Sequence, residues 1–443
     1  MRNRQIILTL LIALVLPFLG TSQTRQLSLE EALSLAAKNN LSVKRAGAAE
    51  QAARAGYRIS NAVFLPGLSV SYTGSSTNDP LAVFGYKLKQ ETATQADFDP
   101  ELLNNPGSRE NFNTRIELQQ PLLNLDGIYA RKAAKSEYEA RKFQANYTGR
   151  YIRYEVKKAY YQLELAGQLV QVTEQALDAA REAMKLSQQN EQQGLVKKAD
   201  VLETAVRLEE RKNQLHEAIN RDRAAGEYLA HLLGLEPGTP IELTDTLLRE
   251  PARASTTTPS PLPENRPDLL AMQKGLEARE YLLQAQKMKF IPRLNAFGSY
   301  EWNDRGISGM DAANYRLGAS LQWDLFSGYK NLGRVRQAGA RLEEARLEYQ
   351  DYLSQSQIRL NQARRRADLN YRRVHSGRLA SEQAAESLRI RTNRYREGLE
   401  KTADLLQAEA LAAMKKLEYL QAVYQYRESL FELEMLLEEN SDK

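Results

Sequence analysis

The sequence predicts an α+β membrane protein with four amphipathic strands and very long helices, built by internal duplication. Three observations carry this. The second half repeats the first: Phe64-Leu65-Pro66 returns as Phe290-Ile291-Pro292, and Asn39 to Pro66 runs against Asn265 to Pro292 without a gap. Gly194-Leu195, with Ala199-Asp200-Val201-Leu202 behind it, returns as Gly398-Leu399 with Ala403-Asp404-Leu405-Leu406. In each half, segments with period-two polarity precede a long proline-free helical stretch. A unit of about 200 residues is too long for a solenoid repeat, so it reads as a duplicated fold unit.

The first repeat is assigned to residues 23–235, the second to 264–443, and a Pro-, Thr- and Ser-rich linker to 236–263. Residues 1–22 read as a signal peptide. Arg2 and Arg4 are its positive start, Ile6 to Leu16 is its apolar run, and Gly20 and Ser22 lie at the cleavage-site positions. That run is too short to span a bilayer comfortably, and the rest of the chain has no other apolar run near a helix span. The chain has no cysteine, which excludes a lipid on Cys, disulfides, thiolate metal sites and cysteine catalysis. The net charge of +5 falls to +3 when Arg2 and Arg4 leave with the signal. Arg364-Arg365-Arg366 and Arg372-Arg373 are a local basic cluster among balanced acidic residues, so they read as a solvated or interfacial helix face and not as a nucleic-acid surface.

Within the first repeat, Ser28 and Glu31 have capping-box spacing at the start of a helix to Asn39, and a second helix runs to about Ser60. The period then changes to two. Leu68, Val70 and Tyr72 alternate with Ser69, Ser71 and Thr73, which predicts a strand over about 67–74. Ile116 and Leu118 alternate with Arg115 and Glu117, within a strand over about 113–120. The second repeat predicts strands over about 293–302 and 315–324, with Phe297 breaking the alternation. Trp302 and Trp323 fall near strand ends, as in an interfacial aromatic girdle. A long polar connection, Thr73 to Asn113, joins the first strand pair.

Long helices are predicted over about 128–190 and 329–396, rich in alanine, leucine, glutamine and charge. Each would be on the order of 90–100 Å long, which marks coiled-coil packing. Each stops at a Gly-Leu turn, and return helices follow over about 197–234 and 402–438, with Thr402 placed to cap the second.

Four strands with an apolar face cannot stand alone in hydrocarbon, because unpaired edges cost several kcal/mol per backbone group. The barrel must therefore close between chains. The polar strand faces would then line a water-filled lumen.

With these features in place, the sequence resembles the TolC-like outer membrane efflux protein family over essentially the whole mature chain. The resemblance rests on the duplicated plan, the Phe-(Leu/Ile)-Pro approach to each first strand, the Gly-x-x-x-x-x-Asp-x-Leu hairpin tips, and Gly127 and Gly328 before the long helices. It implies a homotrimer whose four strands per chain make a twelve-stranded barrel, continued by a twelve-helix tunnel in the periplasm. It implies an outer membrane exit duct with no enzymatic activity and no cofactor, receiving cargo from an inner-membrane transporter through a periplasmic adaptor protein. Outer membrane export of protein or peptide (type I secretion) is an alternative on the same architecture. A soluble periplasmic coiled-coil adaptor is a third reading, disfavoured by the two strand pairs.

The resemblance also implies site residues. By spacing from Gly398, Tyr395 matches the tyrosine of the family's periplasmic lock, Asp404 its acidic-ring aspartate, and Asp200 the counterpart in the first repeat. Glu400 stands where an arginine of the lock is expected and Gln407 where a second aspartate is expected; Lys197, Lys198 or Lys401 is a candidate replacement. The bland reading of Asp404 is charge stabilisation in the first turn of a helix. Gly194-Leu195 and Gly398-Leu399 match the tips that meet the adaptor, with a helix-stop contact as the bland reading. His216, His231 and His375 stand on separate helical stretches without a second ligand at i+4, so no metal site is expected.

Overall fold

A computed structural model describes residues 25–245 and 261–437. The signal segment 1–22 and most of the linker, 246–260, lie outside the described residues. The described chain forms two compact units. The first takes residues 25–47, 145–245, 261–266 and 354–437; the second takes 48–144 and 267–353. Each unit draws on both halves of the sequence.

The elements in chain order are β1 (Arg25–Leu27), α1 (Leu29–Asn39), α2 (Leu41–Ile59), β2 (Gly67–Thr77), α3 (Pro80–Lys89), α4 (Pro100–Asn104), β3 (Arg109–Leu123) and α5 (Leu125–Gln192). There follow α6 (Lys198–Leu233), β4 (Ile241–Leu243), α7 (Pro267–Met288), β5 (Arg293–Asp304), β6 (Ala312–Gln322), α8 (Lys330–Arg396) and α9 (Thr402–Leu437).

In the second unit, β2-β3-β5-β6 form one antiparallel sheet in that order. The β3–β5 ladder therefore joins the two strand pairs into one surface. Direct partners share a face of a sheet. Leu68 opposes Leu118, Val70 opposes Ile116, and Tyr300 opposes both Ile116 and Tyr315. These positions, with Leu317 and Leu321, make an apolar face that stands exposed except at half-buried Ile116. The other face carries Ser71, Arg115 and Glu301 side by side. Phe297 lies on this polar face opposite Gly318, where a Cβ would meet the ring at 2.7 Å, so the glycine makes room for the break in alternation. The strands β2 and β3 run past the alternating stretches, because the ladder between them continues to Thr77 and Arg109, and β3 stays paired with β5 as far as Leu123. Trp323 falls just after β6 and not within it; its indole N–H donates to the Phe290 carbonyl (2.9 Å), tying the strand end to the approach of β5.

In the first unit, the Ser28–Glu31 capping box is made: the Ser28 amide donates to Glu31 Oε2 (2.9 Å) and the Glu31 amide to Ser28 Oγ (3.3 Å). The short parallel pair β1–β4 had no sequence signal, since three residues are too few to show a period. Leu27, Val156, Tyr160, Leu229 and Leu233 form its fully buried core. Burying each such side chain contributes about 1.5–3 kcal/mol. Along α8, Leu360, Ala363, Ala367, Asn370 and Val374 are buried at alternating spacings of three and four, the coiled-coil seam. They pack with Leu433 and Leu436, and with Val423 and Tyr426, of α9. Asn370 is satisfied at its seam position by donating to the Gln425 carbonyl (3.1 Å).

Candidate functional site

The hairpin tips carry every site residue taken from the sequence, and all lie in the first unit. Both tips are built alike. At the first, the Leu195 amide donates to the Asn190 carbonyl (2.8 Å) and the Gly194 amide to the Glu191 carbonyl (2.9 Å). At the second, the Leu399 amide donates to Arg394 (2.9 Å) and the Gly398 amide to Tyr395 (3.1 Å). This pair of bonds is the Schellman helix stop, and it needs a left-handed residue, supplied by Gly194 at φ +74° and Gly398 at φ +73°.

In such a stop the following apolar residue often folds against the last turn. Here it does so only weakly: Leu195 is 65 % exposed and Leu399 63 %. Each hairpin thus ends in a projecting leucine.

The two aspartates differ. Asp200 sits in the first turn of α6, and its Oδ2 accepts from the Lys197 amide (2.9 Å), so it caps its own helix. Asp404 sits in the first turn of α9, half-buried, with no hydrogen-bond partner for its carboxylate among the described residues. Thr402 does not cap α9 from outside but is its first helical residue. It is buried, with its hydroxyl 3.2 Å from the hydroxyl of Tyr395, which is also buried. Gln407 is exposed.

Glu400 has partners of its own. Its carboxylate accepts from Arg391 Nη1 (2.8 Å) and Arg394 Nε (2.8 Å), both on α8, while Arg394 also donates to the Leu399 carbonyl (3.2 Å). The second tip is therefore clasped to its own helix. Within the chain none of the three lysines proposed to stand in for the lock arginine pairs with Asp404 among the described residues; Lys198 instead approaches Glu191 at 3.5 Å. Arg391 and Arg394 sit three residues apart on one helix face, a local signal that sequence reading passed over.

Above the tips, the return helices α6 and α9 share a buried charge pair that sequence reading also missed. Arg211 Nε lies 3.5 Å from Glu409 Oε1, with both side chains over nine-tenths buried. Arg211 Nη1 donates to Gln214 (2.7 Å), but Arg211 Nε and Nη2 and Glu409 Oε1 lack hydrogen bonds. Burial pushes the Glu409 carboxyl up, against the pull of Arg211 and Arg207. Among the described residues no cluster of His, Asp and Glu could hold a metal ion, and no helix is long and apolar enough to cross a membrane.

The sequence matches the family described as "Outer membrane efflux protein" over residues 32–235 and 258–438. It is 24 % identical over 417 residues to outer membrane protein OprJ of Pseudomonas aeruginosa, covering 91 % of this chain and 82 % of that one. It is also 24 % identical over 418 residues to the alkaline protease secretion protein AprF of the same organism, covering 90 % and 82 %. The crystal structure of the outer membrane protein VceC from Vibrio cholerae shares the fold, with a TM-score of 0.77 at 19 % identity over 92 % of this chain and 95 % of that one. The chain belongs to the outer membrane efflux protein family, and its work is that of an outer membrane exit duct in efflux or secretion.

Proposed function

We propose that three copies of this chain close a twelve-stranded barrel in the outer membrane, extended into the periplasm by a tunnel of twelve helices, and that this duct serves a tripartite efflux pump. The observation that carries the reading is the sheet itself. It has four strands, open outer edges on β2 and β6, an exposed apolar face and a charged opposite face. Open edges in hydrocarbon cost several kcal/mol per unpaired backbone group, and pairing β6 of one chain with β2 of the next removes them all. The matched lengths of the two halves fit a duplicated unit that supplies two strands and one hairpin: 68 and 67 residues for α5 and α8, and 36 for each of α6 and α9. Residues 1–22 are then the export signal, and the partners are a periplasmic adaptor and an inner-membrane transporter. Secretion of a protein or peptide is the second reading, favoured by the equal similarity to AprF.

At the tips, the roles divide. Leu195 and Leu399 project as apolar knobs and dock the adaptor, since a hot spot needs a side chain free to enter a pocket. Asp404, uncommitted to its own helix end, faces the axis in three copies and makes the narrow end cation-selective. Tyr395 with Thr402 stiffens the second tip behind it. Asp200 serves its helix cap, and Glu400 its clasp.

Two variants of the full-length protein test these roles together. Leu195→Ser with Leu399→Ser is expected to abolish efflux while leaving the solubilised oligomer and its single-channel conductance intact. Asp404→Ala is expected to leave efflux in place but to reduce cation selectivity and block by multivalent cations in planar bilayers. Efflux at the wild-type level in the leucine variant removes the docking role; unchanged currents in the aspartate variant remove the ring.

A further inference from the structure

The connection between β2 and β3 folds back onto the sheet it interrupts. Asp79 caps α3 by accepting from the Ala82 amide (2.8 Å), and Pro80 takes the first helical position, where its missing N–H costs nothing. One side of α3 then lies against the polar face of the sheet, at the end away from the long helices. Val83 is buried there, and the hydroxyls of Tyr86 and Ser75 meet at 2.9 Å. Just beyond α3, Gln90 is buried and donates to Asn111 Oδ1 (2.9 Å), and Asn111 donates to Asn303 Oδ1 (3.1 Å). Lys89 reaches Glu301 at 3.3 Å, and Arg115 holds the same carboxylate at 2.6 Å. Every sheet residue in this clasp lies on the polar face.

The opposite side of α3 is apolar and bare. Leu81 is 85 % exposed and Leu88 is 52 % exposed, and at a separation of seven residues they share a face. Gly85 lies between them, and a Cβ there would meet open space. An apolar strip with a glycine at its centre lets a second helix approach closely.

We infer that the Leu81–Gly85–Leu88 face of α3 is a contact surface for the same face of two further copies of this chain, and that three such helices form an apolar stopper in the outer mouth of the barrel. The inference rests on the barrel reading above, in which the polar face lines the lumen. A helix clasped to that face must then turn its other side toward the axis. An apolar constriction of this kind stops ions by dewetting.

The absence of cysteine makes a clean test possible. Leu88→Cys in the full-length protein, oxidised in outer membranes, is expected to give disulfide-linked pairs of chains, one pair per trimer, because cysteines around a three-fold axis would meet within bonding range. Leu81→Asp with Leu88→Asp is expected to raise single-channel conductance about twofold or more, by setting six carboxylates against one another. Lys89→Ala with Gln90→Ala, which releases the clasp and leaves the apolar face untouched, is expected to do the same if the aspartates impair folding. The mass of each solubilised variant is measured first. A trimer with neither linkage nor altered conductance overturns the stopper and leaves the duct reading standing. Linked pairs with unchanged conductance keep the contact but overturn closure. A monomer removes the barrel reading and the stopper with it.

Discussion

Charge at single residues in this protein is sorted by burial. Arg391, Arg394 and Glu400 meet at the second tip, where the glutamate is largely covered but both arginines keep contact with solvent and all its hydrogen bonds are made, so the cluster acts mainly by fixing geometry. Arg211 and Glu409 are different, because the same chemistry is taken out of water and only partly satisfied. Arg211→Met is expected to destabilise the protein by about 3–5 kcal/mol, since it leaves a buried carboxylate without its countercharge. The double variant Arg211→Met, Glu409→Leu is expected to recover most of that loss, as read from thermal dissociation of the detergent-solubilised protein. A double variant as weak as the single one would mean that the seam depends on the ion pair itself. The helix stops were legible in the sequence because a Schellman turn is local: Gly194 and Leu195 contain the whole signal. The Arg211–Glu409 pair was not, because its members come from opposite halves of the chain and each alone looks like one charge among many on a helix.

Elements were legible where one period governs many residues. The long helices were read from the absence of proline and the strands from alternation, and α5 and α8 run within a few residues of the expected ends. Strand ends were less legible, because ladder hydrogen bonds extend β3 from Arg109 to Leu123, past the residues that alternate. The helix α3 was missed although Asp79-Pro80 is a helix-start signal; the surrounding Asn, Pro and Gly residues read as a plain loop. This same loop has its own pH dependence. The Asp97 carboxyl is held down to about 2, first by the hydrogen bond from Lys87 and then by the Thr94 amide. A folded value below the ordinary 3.8 means that the folded loop binds fewer protons than the unfolded one. The contribution of this contact to the loop's stability is therefore fully present above about pH 4 and is lost as the pH falls toward 2. Conductance is expected to rise across that window, and Asp97→Asn is expected to have lost the pH step while showing the acid level throughout. A wild-type conductance flat from pH 5 to pH 2, measured at about constant ionic strength, would separate the Lys87–Asp97 contact from closure of the outer mouth.

At the scale of the whole molecule, the sheet has two open edges and an apolar face without cover among the described residues, and in the proposed barrel other chains and lipid complete both. The family was readable in the sequence because the same weak signals occur twice in the same order, and coincidence of the ordered set is improbable where each alone is common. The measurement that tests the central claim most directly is the mass of the mature protein extracted from outer membranes, by light scattering with the detergent contribution subtracted. A mass of three chains is the result predicted by a barrel shared between copies. A clean monomer, still folded by circular dichroism, would contradict it, since four strands would then have to satisfy their edges without partners.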